Sequence, residues 1–376
     1  MVKIAIVGAT KRIGIELLEV LQSQEFNKDN IIVLDSSSHY NEKLKYGDDD
    51  FLKVQKLDSF VFSGIDIVVN LLNESVLQFL QQKQIDFNFV IIDNSGSLYK
   101  NFSFPSVIAD VNLHHINKNL TKTLLNPNCT TTILASVLSP LYIKYKMLSA
   151  NVSTYQSVSG AGNLGLEALF NQSKAIFTQG AVALKTEEEI AEEADEAEKF
   201  LASVDAKENN NKIEEETKQD KPIFTKQIAF NLIPHIGDFL PNGNTTEEEN
   251  IILETNKILQ SSINITATCV RVPIFIGHCL AVTINFNESV LDSEIREFLK
   301  KQPNIAVVDF RLDQGYVSPF EVAGESKIYI TRIKNNYEIN HNLEQKASNS
   351  INLFIVADNL QVSANNIVNI IKNYLN

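Results

Sequence analysis

The chain of 376 residues contains no tryptophan, two methionines and three cysteines. An odd number of cysteines with no CxxC or similar metal-ligand spacing argues against a disulfide scaffold or a cysteine zinc site. It suits a reducing compartment. No apolar run approaches the ~18 residues of a membrane span. The opening, MVKIAIVGATKRIG, begins directly on a strand pattern without a signal-peptide layout, so a cytoplasmic location is expected. Positive charge is scarce too. With 33 Lys+Arg against 46 Asp+Glu the formal charge is −13, which argues against a nucleic acid or an anionic membrane as partner. Much of that acidity is local, in the stretch EEEIAEEADEAE at 187–198.

What is present is the composition of a globular protein, 44% apolar and 21% charged. The length suits roughly two domains. KIAIV at 3–7, IIVLD at 31–35, IDIVVNLL at 65–72 and FVIID at 89–93 are continuous apolar strands, with helical stretches such as SVLQFLQQKQ between them. That alternation predicts an α/β fold, a doubly wound parallel sheet covered on both faces. After Cys129 the texture changes. TTILASVLSPLYIKY reads as a long helix, and 227–236, 264–275 and 278–286 are alternating, β-rich segments suited to a mixed sheet. The final helix, ANNIVNIIKNYL, is expected to pack back on the first domain. Residues 185–221 are polar and charge-dense and read as an insertion. A solvated loop is the plain reading of it, and an interaction arm for a basic partner the sharper one.

Four stretches carry chemistry. The first, VGATKRIG, follows a strand and opens a helix, the context in which a glycine motif marks a dinucleotide site. Gly8 suits the tight turn and Gly14 a close helix–strand contact, but Lys11 stands where the middle glycine would admit a pyrophosphate. Asp35 ends the second strand, where it can take a ribose hydroxyl, and the SSSH that follows holds no arginine or lysine for a 2′-phosphate. The second, NPNCTTT at 126–132, puts Cys129 behind a proline-fixed turn at a helix entry. There the unsatisfied N–H groups would favour a low-pKa thiolate; a buried helix-start cysteine is the bland alternative. STYQSVSGAG places Gln156 before a glycine-rich turn. RVPIFIGH holds Arg271 and His278 on a bent segment, as carboxylate clamp and acid/base.

Taken in order, GAT…IG, IIDNS, ADVN, NPNCTT, STYQSVSGAG, IAFNLIPHIGD, EEE…ETNKIL, CVRVPIFIGH and VADNL resemble the bacterial aspartate-semialdehyde dehydrogenases over nearly the whole chain. The resemblance implies a Rossmann-like NAD(P)-binding domain over 1–128 and an α+β catalytic and dimerisation domain with a mixed sheet over 129–357. The helix 358–376 would return to the first. It implies a homodimer through the second domain, in which Cys129 is the nucleophile that forms a hemithioacetal and then an acyl-enzyme. Gln156 would orient the carbonyl and His278 serve as acid/base. Arg271 would hold the substrate α-carboxylate, Glu247 its amino group, and Asn128 the phosphate. Gly8, Thr10, Lys11, Ile13, Gly14, Ser36, Gly160 and Asn359 would line the cofactor, NADP or NAD, with no metal. The reaction implied is the reversible NADP-dependent reductive dephosphorylation of aspartyl phosphate to aspartate semialdehyde, leading to lysine, threonine and methionine.

The sequence also departs from the family. Tyr99, followed by Lys100, stands where a phosphate-binding arginine is expected, and Asn250 where a lysine is expected. The family's SxRSAG loop reads SSSHYN, its SAGGS loop reads LLNES, and Ser363 replaces a glycine. Together these changes remove cations from the phosphate pocket and add side chains where a dinucleotide meets bare backbone. They keep open a second reading: a catalytically weak or inactive Usg-like paralogue with a binding or scaffold role and weakened or lost cofactor binding.

Overall fold

The runs of β-branched residues near the amino terminus have no polar face to offer water, so they must be covered on both sides. The computed structural model describes residues 2–82, 88–98, 103–117, 120–178, 223–336 and 347–375. In it, β1 (Ile4–Val7), β2 (Ile31–Asp35), β6 (Ile67–Asn70), β7 (Val90–Asp93) and β8 (Thr123–Leu125) join the short β5 (Gln55–Lys56) in one sheet. Its order is β5-β2-β1-β6-β7-β8, and every pairing is parallel. A hairpin of β3 (Lys43–Tyr46) and β4 (Asp50–Lys53) lies beside it.

One face of this sheet packs against α1 (Arg12–Ser23) and the other against α2 (Val76–Gln82). Because β2 and β6 flank β1 on opposite sides, the strand order reverses there. The crevice at the carboxyl ends of β1 and β6 is the place where doubly wound sheets bind ligands. The turn after β1 needs glycine at two points. Gly8 has φ +81°, and a Cβ on Gly14 would stand 2.3 Å from the Ala9 carbonyl oxygen.

The second sheet is mixed. Its strands are β9 (Met147–Gln156), β10 (Asn264–Arg271), β11 (His278–Val290), β12 (Ile305–Val307), β13 (Ile328–Asn335) and β14 (Ser348–Ala357), in the order β10-β9-β11-β14-β13-β12. Burial alternates along β9 and β14 as a half-covered sheet requires. The inner face packs on α3 (Cys129–Lys144), α5 (Thr246–Leu259) and α6 (Asp292–Leu299). The fourth helix, α4 (Gly162–Thr178), lies over Ile228 and Ile233.

The last helix, α7 (Asn359–Leu375), leaves the mixed sheet and buries Ala364, Ile367, Val368, Ile370 and Ile371 in the cluster with Ile4, Ile6, Leu17 and Leu21. Each of these isoleucines and the valine contributes about 1.5–3 kcal/mol when fully buried. This one helix thus ties chain end to chain start.

One expectation fails. Residues 227–236 form no strand; only Ile233 bridges to Arg271. Pro234 lacks an N–H, and Phe230 adopts φ +56°, so the alternating pattern cannot extend into a ladder. The stretch 185–221 lies outside the described residues. Gly14→Ala should lower the unfolding free energy by about 1–3 kcal/mol through overpacking against Ala9, read as an earlier chemical-denaturation midpoint. An unchanged midpoint would refute the close approach.

Candidate active site

Three side chains remote in sequence reach one spot through strand register. In β9, Gln156 pairs with Arg271 of the parallel neighbour β10 and with His278 of the antiparallel neighbour β11. A row of Arg271, Gln156 and His278 thus crosses three adjacent strands at one end of the mixed sheet. All three are buried. The Arg271 guanidinium donates to the Ser157 carbonyl at 2.7 Å. Gly160 lies over the row: a Cβ there would be 2.9 Å from Arg271 Nη1 and 3.4 Å from His278 Nε2. Only bare backbone can pack this close to both groups.

Cys129 begins α3, with Asn128 as N-cap accepting from the Thr130 N–H at 2.8 Å. Glu247, in the first turn of α5, joins this helix start to the row. Its carboxylate accepts from Asn128 Nδ2 at 2.9 Å, from Gln156 Nε2 at 2.9 Å and from Thr130 Oγ1 at 3.4 Å. The expected low-pKa thiolate is not what results. Burial, reinforced by the Glu247 carboxylate, pushes the Cys129 thiol up to about 12, against the weaker pull of Thr130 and Arg271. Desolvation and a facing anion outweigh the Thr130 hydrogen bonds at the helix start.

His278 moves the opposite way. Burial and the Arg271 charge lower it to about 3, so the imidazole is neutral. Its Nδ1 lies 3.2 Å from the Ser157 N–H and 3.1 Å from Ser157 Oγ. The first donates and the second is able to accept, so either tautomer finds a partner. Nε2, facing Gly160, is buried without a hydrogen-bond partner among the described residues. Behind it, the Asn359 side-chain Oδ1 accepts from Ser157 Oγ, Ser159 Oγ and the Gly277 N–H at 3.1–3.3 Å.

At the sheet switch point, Asp35 accepts from the Thr10 N–H at 3.2 Å, Thr10 Oγ1 at 2.7 Å and the Ser36 N–H at 2.8 Å. Lys11 sits in ordinary extended backbone (φ −66°, ψ 155°) as N-cap of α1 and donates to Asn73 Oδ1 at 2.7 Å. Two departures thus meet, one from each loop bordering the crevice. Burial lowers the Lys11 pKa, opposed by the Asp35 charge. With Gly8, Ile13 and Gly14 placed around the same turn, and the uncovered backbone of Gly160 over the Arg271–His278 row, the residues present fit a dinucleotide.

Comparison with known proteins agrees with this layout. Residues 3–119 match the family model described as semialdehyde dehydrogenase, NAD binding domain, and residues 138–362 its dimerisation domain. A Rickettsia conorii aspartate-semialdehyde dehydrogenase is 32% identical over 96% of this chain and 94% of its own. The Bacillus subtilis enzyme is 31% identical over 95% and 92%. The chain belongs to the aspartate-semialdehyde dehydrogenase family. It is an oxidoreductase by that membership. The crystal structure of aspartate semialdehyde dehydrogenase II from Vibrio cholerae superposes with a TM-score of 0.79, 28% identity, and coverage of 99% and 98%.

Several supporting residues escape sequence reading. Glu254, about two turns after Glu247 in α5, is 3% exposed and accepts the Asn128 N–H at 3.1 Å. Burial pushes it up to about 7. Its only sequence signal is a carboxylate on the apolar face of an amphipathic helix. Asn126, just before the proline, donates to Asn94 Oδ1 and Ser363 Oγ and accepts from Asn366. Ser363, one of the departures, thereby binds the strand end that leads to Cys129. Asn250 leaves a buried amide oxygen without a partner among the described residues. Tyr99 and Lys100 lie outside them.

Two outcomes follow from the electrostatics. Glu247→Gln removes the anion that raises the thiol, so iodoacetamide should alkylate Cys129 several-fold faster than in the parent at mildly alkaline pH; an equal or slower rate would contradict the assignment. For Glu254, the folded state binds more proton than the unfolded between pH 4.5 and about 7, so its contribution to stability falls as pH rises through that window. Glu254→Gln keeps the acceptor for Asn128 and should flatten the fall, gaining up to ~3 kcal/mol over the parent above pH 7. Parallel stability–pH curves would exclude it.

Proposed function

We propose that the protein catalyses the reversible, phosphate-linked interconversion of aspartate semialdehyde and aspartyl phosphate through a thioester on Cys129, with a nicotinamide dinucleotide as hydride carrier. The observation that carries this reading is the row Arg271–Gln156–His278, joined through Glu247 to the helix start that bears Cys129.

The pKa shifts give the site a means of responding to its substrate. In the free protein the thiol and the imidazole are both neutral. A substrate ammonium against Glu247 cancels the charge that raises Cys129. A substrate carboxylate against Arg271 cancels the charge that depresses His278. The first move favours passing the thiol proton to His278 Nε2; the second makes the imidazole the better acceptor, at the cost of the weaker pull of Arg271 on the thiol, and Ser157 Oγ is placed to accept from a protonated Nδ1. Sulfur then adds to the aldehyde carbon, and the Gln156 side chain, beside Cys129 through Glu247, orients the carbonyl oxygen.

Gly8, Thr10, Lys11, Ile13, Gly14, Ser36, Gly160 and Asn359 would hold the dinucleotide, which would supply hydride-transfer chemistry when bound. Asn128 would take the phosphate. The cytoplasm remains the expected location; no helix among the described residues is long and apolar enough to cross a membrane.

A homodimer through the mixed sheet suits the match to a dimerisation domain. The uncovered face of that sheet presents Tyr155 against Phe354, with Arg332 and Tyr316 beside them. A Vibrio cholerae relative with 27% identity and a TM-score of 0.79 has been solved in complex with ASA.

The test is phosphate-dependent oxidation of aspartate semialdehyde, followed by the absorbance of the reduced nicotinamide. Turnover should be present in the parent, absent in Cys129→Ser and strongly reduced in Gly160→Ala. Activity surviving Cys129→Ser would remove the thioester. The Lys11–Asn73 contact across the crevice and the unpartnered Asn250 favour the Usg-like reading as second choice, and absence of turnover with either dinucleotide would select it.

A further inference from the structure

Building on the dehydrogenase reading, we infer that the dinucleotide site is selective against a 2′-phosphate, so that NAD is its cofactor in preference to NADP, with Asp35 as the specificity-determining residue. Asp35 is the last residue of β2 and stands beside the turn after β1, whose Gly8 N–H donates to Leu34 O at 2.8 Å. In a doubly wound sheet this corner receives the adenosine ribose. Donors from Thr10 and Ser36 fix the orientation of the carboxylate. A carboxylate there accepts from ribose hydroxyls and repels a phosphate dianion on the same ribose.

The basic side chains around this corner already have partners, although Lys11 is near enough for the Asp35 charge to act on it. Lys11 donates to Asn73, His39 lies 2.9 Å from Glu42, and the Lys56 ammonium sits 4.7 Å from the centre of the Tyr40 ring. Lys56 is the residue paired with Asp35 in the β2–β5 register, which makes it a cation able to compete for a phosphate. The loop that follows Asp35 offers only hydroxyls. Ser36, Ser37 and Ser38 are exposed, with Ser36 Oγ 2.7 Å from Ser38 Oγ. Uncharged hydroxyls next to an acid suit a ribose diol. They give a 2′-phosphate no counter-charge to offset Asp35.

The experiment is calorimetric titration of the full-length protein with NAD+ and with NADP+ at fixed ionic strength. NAD+ should bind at least about tenfold more tightly, the scale of one like-charge contact in a partly solvated site. Ser38→Arg, at an exposed position that leaves Asp35 and Thr10 intact, should shift the ratio several-fold toward NADP+. Asp35→Ser combined with Ser38→Arg should reverse it, with thermal melting showing that the turn is kept. Tighter NADP+ binding by the parent would overturn the preference while leaving the dehydrogenase reading standing; its loss in Lys56→Gln would then assign the phosphate to that cation. Binding of neither dinucleotide would overturn both.

Discussion

The register of β9 against its two neighbours is the constraint on which the site depends. Parallel pairing with β10 and antiparallel pairing with β11 bring Arg271, Gln156 and His278 level, although they come from three separate strand ends. A one-residue slip on either side would turn a side chain to the opposite face of the sheet. The slip is prevented by the inner face: Ala150, Val152, Ile265, Leu280, Val282 and Ile284 are buried against α3 and α5 in one core cluster. Hydrophobic burial, with no direct part in the chemistry, thus fixes the chemistry's geometry.

A second consequence is electrostatic. The same burial that orders the row makes charge costly within it. The thiol is driven up and the imidazole down, each by desolvation first and a neighbouring charge second. Glu247 and Arg271 are the two charges concerned, and both are matched in sign to a zwitterionic amino acid. Two unlike charges thus flank a neutral thiol and a neutral imidazole.

The carboxy-terminal helix links this pocket to the first sheet. Its start carries Asn359, behind the His278–Ser157 pair, and its middle carries Ser363 and Asn366, which hold Asn126 at the approach to Cys129. Its remaining apolar face is part of the core of the first sheet. The serine in place of the family's glycine at 363 therefore has a hydrogen-bonding use. Similarly, the lysine at 11 has its partner in Asn73. Departures that look like erosion one at a time in the sequence are, at these two places, contacts.

Much of the fold was readable without coordinates, because continuous apolar strands interrupted by amphipathic helices have few ways of burying themselves. The order of motifs around Cys129, Gln156, Arg271 and His278 pointed to the family for the same reason: each sits in a local pattern with its own turn chemistry. The strand expected over 227–236 misled, since alternation alone does not register a missing N–H at Pro234 or the positive φ of Phe230. Glu254 was invisible because a carboxylate in a helix is ordinarily solvated. By itself the sequence determined which residues could do chemistry and which segments would be sheet or helix. Only the tertiary structure decided their electrostatic state. The pKa of a thiol or imidazole depends on the burial and charges that distant segments bring to it, and no local pattern encodes that sum.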